Sequence, residues 1–186
     1  MTLPTPSQTV GPFYGYALPF PGGGDIAPAG HPDAVTVHGR VFDGEGRPIP
    51  DALLEFWQPD PAGSRTGRPG SLRRDPVTGG FLGRHGVDFT GFGRVATDAD
   101  GHYTLRTLPP GGAPYLSVCV FARGLLHHLF TRAYLTDHPL YGGDPLLASL
   151  DGARRASLEA VREDGRTHRF DIHLQGEKET TFLVFD

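Results

Sequence analysis

The sequence predicts an all-β fold, an antiparallel β-sandwich of about eight strands with an irregular N-terminal arm, long loops and little helix. Short runs of alternating apolar residues recur between turn signals, which is the pattern of strands half-buried in a two-layer fold. Glycine and proline are frequent, at 27 and 18 of the 186 residues. Alone this would allow disorder, but twelve Phe, six Tyr and one Trp sit mainly in those runs, so the glycines and prolines punctuate turns in a chain able to build one sizeable core.

Residues 1–34 show neither helical nor strand period, "PFPGGGDIAPAG" being the extreme, and read as an arm preceding a domain at 35–186. "VTVHGRVFD" then alternates through Val35, Val37 and Val41, and "ALLEFWQPD" follows after the turn-rich "GEGRPIP"; two strands are expected. "SRTGRPGSLRRDPVTGG" has turn chemistry only and reads as a long surface loop. "GRVATDADGHYTLRTL" is the clearest hairpin, with Gly101 free to take the positive φ its turn needs. Further strand-like runs are 115–121, 126–135, 167–174 and 180–185. Asp144 before Pro145 forms a cap and first-turn pair for a short helix through "LLASL", and 153–164 fits helix or strand equally.

The formal net charge of -4 gives no positive field for nucleic acid or anionic lipid, and neither is expected as a partner. One cysteine, Cys119, allows no internal disulfide, and a reducing compartment follows. The amino end lacks a basic region followed by an apolar stretch, and no apolar run reaches about 18 residues, so a soluble, cytoplasmic protein is expected.

Few residues offer obvious chemistry. His127 and His128 adjoin in the run 126–135; on an extended strand neighbours project to opposite faces, which argues against joint metal chelation. His168 and His173, five apart, likewise fall on opposite faces and read as structural. "DADG" at 98–101 lacks the downstream acidic ligand of a calcium loop and reads as a turn. No G-x-S-x-G elbow, P-loop or C-x-x-C pair is present. The arginines of the 64–80 segment, Arg65, Arg68, Arg73 and Arg74, could attract an acidic aromatic substrate, but four scattered cations define no pocket and a solvated loop is the favoured reading. Arg123 interrupts an apolar stretch just before Gly124, where a bidentate carboxylate partner would suit it as well as an ordinary turn position.

Five segments, in order along nearly the whole chain, resemble the intradiol ring-cleavage dioxygenases. They are "TPSQTVGPFY" at 5–14, "GRVFDGEGRPIPDALLEFWQPD" at 39–60, "GFGRVATDADGHYTLRTLPPG" at 91–111, "VFARGLLHHLFTRAYL" at 120–135 and "HRFDIHLQGEKETTF" at 168–182. The first and fourth are the more specific. The resemblance implies a β-sandwich and a chemistry in which a ferric ion, held by two tyrosinates and two histidines, binds a catecholate that dioxygen then cleaves between its hydroxyl-bearing carbons. Hard anionic oxygen donors suit the ferric state.

At the positions that the resemblance assigns to these ligands, this chain has other residues. Tyr115 and Ser117 stand where catalytic chains carry His-x-His, "LPPGGAP" has only Gly and Ala where a tyrosine follows the Pro-Gly, and Phe81 is the nearest match to the second tyrosine. Metal ligands and catalytic residues in this chain are therefore expected to be none. The resemblance implies instead an α-type subunit beside a homologous iron-bearing β subunit, in a large αβ hetero-oligomer whose Fe(III) the β subunit holds, with protocatechuate and dioxygen as reactants. It implies further that Thr9, Gly11, Pro12, Phe13 and Arg123 line the partner's substrate site. Their chemistry suits this: Gly11 permits close backbone approach, Pro12 restricts the chain and Phe13 supplies an aromatic wall. Two other readings stay open, a self-sufficient catechol or hydroxyquinol dioxygenase and a non-enzymatic Ig-like binding module.

Overall fold

The computed structural model describes residues 14–67 and 72–185. In chain order these form α1 (Tyr14–Ala17), β1 (Val35–Phe42), β2 (Leu53–Trp57), β3 (Leu72–Arg74), β4 (Phe81–Arg84), β5 (Phe92–Ala96), β6 (His102–Thr107), β7 (Tyr115–Phe121) and β8 (Leu129–Leu135). A 3₁₀ turn (Tyr141–Gly143), α2 (Pro145–Ser149) and α3 (Gly152–Ala156) precede β9 (Glu159–Asp164), β10 (Thr167–Arg169) and β11 (Ile172–His173).

Hydrogen bonds link the strands in the order β11-β1-β10-β9-β8-β7-β2-β5, with β6 paired to the other side of β1 and β3-β4 forming a separate ribbon. Two halves of this path share one core. Val37, Val41, Tyr103 and Leu105 from β1 and β6 cluster with Leu54, Phe56, Leu116, Val118 and Val120 from β2 and β7. Each such large side chain contributes about 2 kcal/mol relative to exposure.

Parallel pairs modify the expected antiparallel sheet. β10 and β11 run parallel to β1, and β9 runs parallel to β8. Parallel neighbours require a crossover, and the segment from Thr136 to Leu158, carrying the 3₁₀ turn and both short helices, provides it between β8 and β9. The expected start of α2 is present: Asp144 accepts from the Leu146 and Leu147 amides at 2.9 and 3.3 Å, with Pro145 in the first turn. The ambiguous 153–164 segment divides into α3 and β9.

Two expectations are corrected. The supposed loop 64–80 contains β3, whose pairing to β4 is non-local and leaves little trace in composition. The run 180–185 forms no strand, although it is tied to the sheet by the Phe130 to Leu183 bridge and by hydrogen bonds of Thr180 to His173 and of the Thr131 hydroxyl to the Thr181 carbonyl. Ahead of β1, Ile26 is 1% exposed within the core, and Ile26 and Ala27 both donate to the Arg106 carbonyl.

The Asp98–Gly101 turn forms as read, but the hairpin expected around it is corrected: β5 pairs with β2 and β6 with β1, so the turn carries the chain from one half of the sheet path to the other. Asp98 Oδ1 accepts from the Asp100 and His102 amides, both at 2.9 Å, and Gly101 has φ +70°. His168 is buried and bonds Asp137 Oδ1 through Nε2 at 2.8 Å, while His173 stacks on Phe42 at 4.8 Å; both serve structure.

Gly39, in the middle of β1, answers to a close approach. A Cβ built there would lie 1.9 Å from the Phe170 carbonyl oxygen, which also accepts from the buried Tyr103 hydroxyl at 2.6 Å. Gly39→Ala is expected to destabilise the fold by about 3 kcal/mol in urea unfolding; a loss below about 0.5 kcal/mol would contradict this packing.

Burial lowers the His173 pKa, so the folded chain resists a proton that the unfolded chain accepts near pH 6.5. Its contribution to stability is present above about pH 6.5 and is lost as pH falls below it. His173→Phe keeps the stack on Phe42 and is expected to flatten that acid limb in denaturation curves taken between about pH 7 and 5; an unchanged slope would refute the assignment.

Candidate functional site

Alternation along β7 separates two environments. Leu116, Val118 and Val120 enter the core, whereas Tyr115, Ser117, Cys119 and Phe121 face the other way. Register extends this outer face across the sheet: Phe92, Trp57, Ser117 and Arg132 form one row from β5 to β8, and Arg94, Glu55, Cys119 and Phe130 form the next. Over these rows lies an open cavity of about 500 Å³. A smaller lobe of about 150 Å³ adjoins it and shares Trp57, Arg65, Tyr115 and Ser117 with it.

This is where the resemblance places a ferric ion, and the residues present do not fit one. The Tyr115 ring packs 5.1 Å from Tyr134 with the Arg132 guanidinium 4.1 Å above its centre. Ser117 offers only a neutral hydroxyl. Gly112, where a tyrosine would follow the Pro-Gly, has φ +70°, and neighbouring Gly111 is pressed so close to Pro61 that a Cβ would fall 2.2 Å from the Pro61 carbonyl oxygen. Phe81 lies elsewhere, 5.7 Å from Phe20 and beneath the Arg74 guanidinium. Cys119 is no substitute, because burial pushes its thiol up to about 12 and keeps it protonated. Glu55 is paired with Arg94, whose Nε donates to Oε1 at 2.8 Å. Among the described residues no three His, Cys, Asp or Glu side chains are grouped to hold a metal ion.

The two adjacent histidines precede β8 instead of lying on it, a correction to the strand expected over 126–135. His127 Nδ1 lies 3.1 Å from the His128 carbonyl, and the His128 ring packs between Phe121 and Phe130 at 5.6 and 4.6 Å. The turn at Gly124, with φ +89°, ends β7 and delays the next strand.

Arg123 sits in that turn. Its Nε donates to Asp51 Oδ2 at 2.8 Å and a terminal amine donates to the same oxygen, so the carboxylate partner exists but receives both bonds on one oxygen. The Arg123 side chain stays 71% exposed. Tyr14 joins the group: its hydroxyl donates to the Asp51 backbone carbonyl at 2.9 Å. Burial raises the Tyr14 pKa, with a further push from the Asp51 carboxylate partly offset by Arg123. Thr9, Gly11, Pro12 and Phe13 lie outside the described residues. The residue that follows them, Tyr14, is thus fixed against the Asp51–Arg123 pair.

Sequence reasoning overlooked Asp51, Trp57 and Arg132, and it took Arg65 for part of a solvated loop. A signal existed for Trp57: it shares the strand parity of the charged Glu55, which marks the outward face of β2. Asp51 and Arg65 lie in irregular segments, where no periodicity indicates direction.

Residues 24–123 match the family model described as Dioxygenase. The chain is similar to the protocatechuate 3,4-dioxygenase alpha chain of Burkholderia cepacia, with 39% identity over 96% of this chain and 96% of that one. It is also similar to the beta chain of the same organism's enzyme, at 28% identity over 80% of this chain and 67% of the relative. Among solved structures, the dioxygenase domain of a dioxygenase–carbohydrate-binding protein fusion from Streptomyces sp. SirexAA-E superposes with a TM-score of 0.56 and 29% identity, covering 81% of this chain and 86% of that chain. The strand-rich fold and the near full-length sequence match agree, and the chain belongs to the intradiol ring-cleavage dioxygenase family.

Proposed function

We propose that this chain is the α-type, non-iron-ligating subunit of a protocatechuate 3,4-dioxygenase. It would support dioxygen-dependent cleavage of 3,4-dihydroxybenzoate to 3-carboxy-cis,cis-muconate at the ferric site of a homologous β subunit. One observation carries the reading: near full-length similarity to an alpha chain coincides with Ser117, Gly112 and Phe81 at three of the four expected ligand positions, none of which offers an imidazole or a phenolate, and with Tyr115 packed against Tyr134 and Arg132 at the fourth. The separate similarity to a beta chain supports a homologous partner that retains the metal.

In such a complex the iron supplies the chelation that activates the catecholate, and this chain supplies walls and charge. Arg123 is suited to the second task. Asp51 accepts from one edge of its guanidinium, which fixes the plane and leaves N–H groups of an exposed head free. Guanidinium stays protonated at any working pH and matches a carboxylate in geometry. Protocatechuate carries a carboxylate on its ring, so the charge of Arg123 complements the part of the substrate remote from the reacting hydroxyls. Thr9, Gly11, Pro12 and Phe13 would be delivered to the same place by Tyr14, which anchors the segment beside Asp51 and Arg123.

Arg123→Ala in the assembled complex is expected to reduce kcat/KM for protocatechuate by about tenfold to a hundredfold, the loss of a charge-assisted hydrogen bond, with iron content unchanged. Unaltered kcat/KM would remove Arg123 from the site. Deleting residues 1–13 is expected to depress turnover by a similar factor while shifting the unfolding midpoint little; full activity in the truncated complex would exclude a role for the arm.

Purified without a partner from iron-replete cells, the chain is expected to contain far less than one iron per molecule and to lack the visible band of tyrosinate-to-ferric charge transfer. A stoichiometric, wine-red preparation would overturn the α assignment in favour of a self-sufficient enzyme.

A further inference from the structure

We infer that the cleft over the outer face of β2, β7 and β8 is a metal-independent binding site for a small planar aromatic carboxylate, held by this chain's own residues. It is distinct from the partner's substrate site proposed above, and it does not depend on that reading.

Shape and chemistry agree on the ligand class. The inner lobe, about 150 Å³, is the size of one substituted ring. Its walls are the Trp57 indole and the Tyr115 ring, with Ser117 between them on the neighbouring strand position. Trp57 is 54% exposed, although its ring lies 4.4 Å from that of Phe92, which backs it and limits its rotamers. An aromatic side chain held rigid with a face open to solvent is a stacking platform. Tyr115 is likewise fixed, between Tyr134 and the Arg132 guanidinium.

The charge in the cleft has one sign. Arg65 lines both lobes and Arg132 lines the larger one. Among the described residues that line the cleft the one carboxylate is Glu55, which is neutralised by Arg94. Arg132 donates to the Tyr134 hydroxyl at 3.1 Å through a single terminal nitrogen, which leaves donors of the same fork for another acceptor. Two cations beside the open face of Trp57 recognise a ring that bears an anion, and the Ser117 hydroxyl adds a hydrogen bond for a ring substituent. A neutral aromatic would forfeit the electrostatic part, and an aliphatic acid the stacking part. Binding here needs no iron, because recognition comes from charge and ring contact alone.

Trp57 is the sole tryptophan of the chain, so its fluorescence reports on the site directly. The full-length chain, without partner or iron, is titrated with benzoate and with 3,4-dihydroxybenzoate, following Trp57 emission and heat. One site per chain is expected, with a dissociation constant of about 1 mM or tighter and quenched emission. Benzamide, the neutral isostere, is expected to bind at least about tenfold more weakly, as is benzoate to Arg65→Ala, an exposed position whose truncation spares the fold. Ser117→Phe, which fills the lobe from an exposed strand position, is expected to abolish binding. Absence of a site in the native chain, equal affinity for benzamide, or binding undiminished in both variants would overturn the proposal. Because the titration uses neither iron nor partner, a chain that fails to assemble with an iron-bearing homologue would sink the α-subunit reading and leave this result intact.

Discussion

Everything in this molecule depends on the period of two along β7. Leu116, Val118 and Val120 must be buried for the two halves of the sheet to share a core, which forces Tyr115, Ser117 and Cys119 onto the opposite face. That face is the one on which the family builds its metal centre. A shift of register by one residue would exchange the two sets and expose the core, so the position of the outer face is fixed by stability, whatever side chains it bears. The chain could therefore exchange ligands for non-ligands on that face without disturbing the apolar side that holds the fold.

The changes on the outer face are mutually consistent. A tyrosine at Gly112 would have to adopt the left-handed backbone region, and a side chain at Gly111 would collide with the Pro61 carbonyl. Backbone conformation at Gly112 and close packing at Gly111 thus both disfavour a side chain in this part of the loop. Arg132 occupies the face of Tyr115, and a cation there disfavours a second cation nearby. Electrostatics alone would make this face a poor host for a trivalent metal and a better one for an anion.

Much of the fold was legible because it rests on local chemistry. Val35, Val37 and Val41, the Asp98–Gly101 turn and the Asp144–Pro145 helix start each carry their instruction within a few residues. Direction of pairing did not. That β10 lies parallel to β1 follows from a crossover and from contacts between residues more than 120 positions apart, which no window of sequence contains. β3 was missed for a similar reason, since its three residues alternate nothing and exist through pairing with β4. The candidate site divides in the same way. That Ser117 and Phe81 stand where the resemblance expects ligands could be read once it was drawn, and a carboxylate partner for Arg123 from its place in an apolar run. Asp51 could not be read at all, because its partnership with Arg123 spans 72 positions.

Asp51 is also what makes Arg123 useful beyond its own chain. An exposed arginine loses about 2 kcal/mol of side-chain entropy on being immobilised, and this cost would weaken any contact it made to a substrate or a partner. Here the cost is met during folding, because Asp51 fixes the guanidinium and the Tyr14 hydroxyl in turn bonds the Asp51 carbonyl. The same Tyr14 fixes the point at which the preceding residues join the domain. Orientation of a cation and entry of the N-terminal segment are thereby coupled through one residue pair, so a single anchor aligns both contributions toward whatever surface they meet. The outer cleft has its own preorganised parts in Trp57 and Tyr115, each held by a neighbouring ring. The two sites proposed, one at Arg123 and one on this chain's own sheet, are thus built on different ends of β2 and β7 and would not compete.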